Sequence, residues 1–133
     1  MRKNMSKKIM IIDDDIDLVE AMRITIESDG YNVIDAQDGA KGFELLKSEK
    51  PDLLILDVMM DSQDEGFHLA YQIRSDKVTK EIPILMVTAV GAQTGYEFDP
   101  ERDEAYLPVN EFIEKPVNPK ALLDAIKRNL PVV

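Results

Sequence analysis

The run Ile9-Met10-Ile11-Ile12-Asp13-Asp14-Asp15 decides how the rest of this chain is read. Four consecutive apolar residues that stop abruptly on three acids fit a short buried strand with carboxylates at its end. A second run, Leu53-Leu54-Ile55-Leu56, stops on Asp57 in the same way, and two later strand-like stretches end at Thr88 and Lys115. In a parallel sheet the ends of successive strands share one edge, so these side chains would gather there. Such a gathering suggests a site for a divalent cation and a phosphoryl group.

Outward from the first strand, the pattern alternates. Leu18, Val19, Met22 and Ile26 recur at helical spacing, and Gly30 stops that helix before Tyr31-Asn32-Val33-Ile34-Asp35-Ala36 resumes an extended pattern. Asp38-Gly39 leads into a second helix with Ala40, Phe43, Leu45 and Leu46 inward, and Lys50-Pro51 closes it ahead of the 53–56 strand. Gly66 opens a third helix carrying Phe67, Ala70 and Ile73. Strands follow at 83–88 and 112–114, and Asn118-Pro119 caps and starts a closing helix built on Leu122, Ala125, Ile126 and Leu130. Strand and helix in alternation imply right-handed crossovers and a parallel sheet sandwiched by helices.

Between Thr88 and Phe112 the rhythm breaks. A helix is due there, yet Gly91, Gly95, Pro100 and Pro108 interrupt the stretch, and Tyr96, Phe98, Tyr106 and Leu107 form no sustained face. The expectation is a helix that is short or replaced by a loop over 89–111.

At 133 residues and 44% hydrophobic composition, the chain is one domain long and holds one ordinary core. Its net charge of -10 would repel a polyanion over most of the surface, which argues against direct nucleic-acid binding. Without cysteine there is no disulfide framework, thiolate nucleophile or thiolate zinc site. The basic stretch 1–8 precedes only four apolar residues, too few for a secretion signal, and no segment has the length of a membrane span. A cytoplasmic protein with a flexible 1–7 terminus is expected.

Hard cations such as Mg²⁺ take oxygen ligands and share one or two carboxylates with phosphate oxygens. Asp13, Asp14 and Asp57 could supply those carboxylates, and a divalent ion would relieve their mutual repulsion. Mg²⁺ fits best, with Mn²⁺ as the alternative. A carboxylate can also accept a phosphoryl group as an acyl phosphate, with a lysine and a hydroxyl steadying the transferred oxygens. Lys115 and Thr88 are placed for those two roles. Each residue has a plainer reading as well: Asp15 looks like a helix cap, Asp57 could simply end a strand, Thr88 could be an ordinary strand residue, and Lys115-Pro116 an exposed turn. His68, the single histidine, receives no function.

Taken jointly, Ile9 to Asp15, Asp52 to Met60, Val87-Thr88-Ala89 and Glu114-Lys115-Pro116 resemble the receiver domain of two-component response regulators, the CheY-like family, over essentially the whole of residues 1–133. The resemblance implies a five-stranded parallel sheet of flavodoxin-like order 2-1-3-4-5. It implies that Asp57 is the phosphoacceptor, and that Asp14, Asp57 and the Met59 carbonyl bind Mg²⁺ directly while Asp13 acts through water. Thr88 and Lys115 would contact the phosphoryl oxygens, Thr88 and Phe112 would form the switch pair, and the Lys115-Pro116 bond would be cis. The implied partners are a sensor histidine kinase or phosphohistidine relay protein and a downstream protein target, with self-catalysed transfer and hydrolysis rather than metabolic catalysis.

Departures accompany the resemblance. Asp61 stands where the family usually carries proline, and Gly66 comes one residue late, so the loop after Asp57 is altered and more acidic. Two other readings exist: a small haloacid-dehalogenase-like phosphatase, using Asp13 and Asp15 as an Asp-x-Asp pair, and a binding module that is never phosphorylated. The first lacks a late strand ending in paired acids, and the second predicts loss of an acid or the lysine, none of which is lost.

Overall fold

The computed structural model describes residues 7–57, 65–89 and 109–130, and among these strands and helices alternate as expected as far as the fourth strand. They are β1 (Lys8–Ile12), α1 (Ile16–Ser28), β2 (Asn32–Ala36), α2 (Gly39–Glu49), β3 (Leu53–Asp57), α3 (Glu65–Ser75), β4 (Ile84–Ala89), β5 (Glu111–Lys115) and α4 (Pro119–Asn129). The strands form one sheet in the order β2-β1-β3-β4-β5, and every pairing is parallel.

The two acid-terminated runs occupy the middle of that sheet, which explains their unbroken apolar character. In β1, Ile9 and Ile11 face α1 and α4, while Met10 and Ile12 face α2 and α3; all four are fully buried. In β3, Leu53 and Ile55 join the first side, and Leu54 and Leu56 the second. Burial on both faces removes the polar alternation of a half-exposed strand.

The punctuation works as the sequence suggests. Asp15, Asp38 and Asn118 cap α1, α2 and α4 by accepting from the backbone N–H groups of Leu18, Lys41 and Ala121. Gly30 takes a positive φ of 97° after α1, the conformation a glycine enters without a Cβ penalty. Replacing Asn118 with alanine should cost about 1 kcal/mol in urea unfolding, because one N–H at the start of α4 loses its acceptor.

Several local readings change, and β4 runs from Ile84 to Ala89 where the sequence suggests a strand at 83–88. Helix α3 begins at Glu65, one residue before Gly66, and β5 runs one residue further at each end than 112–114. More consequential is α2: Ala40 is exposed, and the buried line is Gly39, Gly42 and Leu46. Spacing of three and four residues brings the two glycines onto the sheet-facing side, where an apolar count misses them. The expectations on Phe67, on the Met59 carbonyl and Asp61, and on a missing helix before β5 lie outside the described side chains or residues.

Candidate functional site

Register sets the site. Ile12 pairs with Leu56, so the residues that follow, Asp13 and Asp57, emerge side by side from β1 and β3. Asp57 pairs with Val87, one residue before Thr88, and Ala89 pairs with Lys115 across β4 and β5. Four strand ends thus deliver Asp13, Asp57, Thr88 and Lys115 to one edge of the sheet, with Asp14 in the turn above.

Asp13 is locked in place. Its backbone N–H donates to the Ala36 carbonyl at 3.1 Å, and its Oδ1 accepts from the Asp15 N–H at 2.9 Å. The other oxygen, Oδ2, is buried and has no hydrogen-bond partner among the described residues. The residue is only 1% exposed, and burial is the main reason its carboxyl is pushed up from 3.8 to about 7, with the neighbouring Asp57 charge adding to the effect. The Asp15 N–H and Lys115 pull in the opposite direction but do not prevail.

Asp57 is 3% exposed, and the Lys115 Nζ lies 3.7 Å from its Oδ1. Asp14 is exposed. One oxygen from each of Asp13, Asp14 and Asp57 lies within 4.8 Å of the other two. A buried oxygen without a partner, a carboxyl whose charge is penalised by burial, and two further carboxylates at this spacing all suit a hard divalent cation. An all-oxygen donor set with no imidazole or thiolate does not suit a softer metal.

Thr88 is half-buried at the end of β4, and Phe112, also half-buried, packs against the α2 and α3 side of the core. The Lys115-Pro116 peptide is cis, as the resemblance implies. Asp15 acts as the cap of α1, its plainer reading. His68 is exposed on α3, where it lines a shallow cleft against α2 with Phe43 and Leu69.

Sequence reading overlooked Asn110. Its Oδ1 accepts from the Ile84 N–H at 2.9 Å and from Arg74 at 2.8 Å, and its own N–H donates to the Ile84 carbonyl at 2.8 Å. These bonds tie the start of β5 to β4 and α3, and β5 carries both Phe112 and Lys115. An asparagine before a strand carries no sequence signal beyond that of an ordinary turn.

Comparison with known proteins agrees with this fold. The family model for the response regulator receiver domain matches residues 9–127. The alkaline phosphatase synthesis transcriptional regulatory protein PhoP of Bacillus subtilis is 34% identical over 126 residues; the match spans 92% of this chain and 48% of the relative, so the chain covers about half its length. Among solved structures, the chemotaxis response regulator CheY4 of Vibrio cholerae superposes with a TM-score of 0.77 at 27% identity, covering 92% of this chain and 97% of that one. The N-terminal domain of a response regulator receiver protein from Methanoculleus marisnigri gives 0.71 at 31% identity, covering 96% and 99%. No described helix is long and apolar enough to cross a membrane. The phosphatase alternative is not favoured by any of these matches. With that model matching 119 of its 133 residues and the sheet order shared with these neighbours, this chain belongs to the response regulator receiver domain family, whose members are signalling phosphoacceptors rather than classical enzymes.

Proposed function

We propose that residues 1–133 form a single receiver unit that takes a phosphoryl group onto Asp57 from the phosphohistidine of a sensor kinase or relay protein, and so changes a surface read by a downstream protein. The observation that carries this reading is the placement of the buried Asp57 carboxylate between Asp13 and the Lys115 ammonium.

In the transfer, an Asp57 oxygen forms a bond to phosphorus in line with the departing imidazole nitrogen. The P–N bond breaks, and the freed imidazole takes up a proton from solvent. Lys115 neutralises charge on the phosphoryl oxygens, and the Thr88 hydroxyl donates a hydrogen bond to one of them. Asp13 and Asp14, with Asp57 and the Met59 carbonyl, would hold Mg²⁺ or Mn²⁺, which supplies charge neutralisation at the equatorial oxygens. Later attack by water on the phosphorus returns Asp57 as a carboxylate and releases inorganic phosphate. Thr88, drawn towards the phosphoryl group, and Phe112, filling the space it vacates, form the switch pair.

This unit acts in the cytoplasm, and its charge of -10 makes a protein partner, not nucleic acid or membrane, its own target. PhoP is named a transcriptional regulatory protein, and this chain corresponds to about half of its length. The test is transfer from a phosphorylated histidine phosphotransfer domain in Mg²⁺. Wild-type protein should become labelled, Asp57→Asn should not, and label that persists in Asp57→Asn would reject the acceptor assignment.

A further inference from the structure

Gly42 stands in the interior of α2, four residues into an eleven-residue helix, with no turn or positive φ to require it. Alanine is the better helix former at such a position, so the glycine needs another reason. A Cβ built there would lie 2.5 Å from Ile12 Cδ1, 2.9 Å from Cγ1 and 3.3 Å from Cγ2. Ile12 therefore occupies the space that a side chain on α2 would fill. It cannot easily withdraw, because it is fully buried and its branched Cβ leaves χ1 little freedom.

Ile12 is also the last residue of β1. It pairs with Ala36 on one side and Leu56 on the other, and the next residues in the two central strands are Asp13 and Asp57. Asp13 then bonds to the Ala36 carbonyl. A push on Ile12 is thus transmitted to the backbone that fixes the spacing of the two buried carboxylates. We infer that Gly42 is a positioning residue for the acidic site: the missing side chain lets α2 press directly on Ile12 and so sets where Asp13 stands relative to Asp57. This rests on the reading of the cluster as a cation-binding phosphoacceptor site.

The test measures Mg²⁺ affinity by titration calorimetry on full-length wild type, Gly42→Ala, Ile12→Val, and the double variant, all well below their unfolding temperatures. Gly42→Ala should weaken Mg²⁺ binding about tenfold, since sub-ångström errors in a ligand set have effects of that size. Ile12→Val removes the atom nearest the new methyl and leaves Cγ1 at 2.9 Å; alone it should lower affinity less than Gly42→Ala does, and in the double variant it should recover part of the loss. Ile73→Val, in the same core but on α3, controls for stability and should lower the unfolding temperature without changing affinity. Equal affinity in wild type and Gly42→Ala, or no recovery in the double variant, overturns the inference while leaving the site reading intact. If Gly42→Ala does not fold, the double variant decides: a loss well short of tenfold supports the inference, and a tenfold loss overturns it. Wild type that binds no Mg²⁺ removes the site reading itself.

Discussion

Asp13→Asn should raise the stability of the metal-free protein at pH 7, by on the order of 2–4 kcal/mol in urea unfolding. The folded carboxyl is pushed up from 3.8 to about 7, chiefly by burial, so between those values the native state holds a proton that the unfolded chain has released. A native state that binds more protons loses stability as pH rises. The metal-free wild type should therefore be most stable near or below 3.8, as far as this group is concerned, and should lose stability progressively up to about pH 7. Asparagine keeps the shape and the oxygen that accepts from the Asp15 N–H, and removes the charge. Saturating Mg²⁺ should restore wild type at pH 7 and leave the variant nearly unaffected, because binding to the native state alone adds stability by mass action. Mg²⁺ affinity of the wild type should in turn rise with pH through the same window, as the cation displaces the proton. A flat stability profile from pH 4 to 7, or an asparagine variant no more stable than wild type without metal, would contradict this.

Lys115→Ala separates transfer from metal binding. The ammonium lies 3.7 Å from Asp57 Oδ1 and is the nearby positive charge that an incoming phosphoryl group would meet. Removing one such preorganised group from a partly buried site costs about 10²–10³-fold in rate. Phosphoryl transfer should fall by that factor, measured as single-turnover labelling in saturating Mg²⁺. Mg²⁺ binding should hold or tighten, since the carboxylates lose a competing cation. Arginine at this position should not rescue the rate, because its planar fork does not place charge where the compact lysine ammonium does. Equal losses in metal affinity and transfer would mean that Lys115 only holds the acids together.

The central strands were legible because both of their faces are buried, which leaves a sequence trace that no surface strand can mimic. Since each ended on an acid, the convergence of Asp13 and Asp57 followed from a parallel sheet alone, and the register of Ile12 with Leu56 bears it out. The caps at Asp15 and Asn118 were legible for a similar reason, as short polar side chains standing where a helix must begin. What could not be read was the burial within the acid run: Asp13 is buried and Asp14 exposed, a distinction set by the turn above β1 and not by residue type. Gly42 was also invisible, because helix propensity counts it as a defect and only the approach of Ile12 gives it a purpose. Asn110 escaped for the opposite reason, since its bonds to Ile84 and Arg74 join segments that are 26 and 36 residues apart.

The central claim is that Asp57, and no other acid of the cluster, receives the phosphoryl group. Peptide mapping by mass spectrometry, after incubation with Mg²⁺ and a small-molecule phosphodonor, tests it most directly. One base-labile phosphoryl group on the peptide carrying Asp57, absent when the metal is chelated before the donor is added, is the predicted result. Label on the peptide carrying Asp13, Asp14 and Asp15, or none at all on protein that binds Mg²⁺, would contradict it.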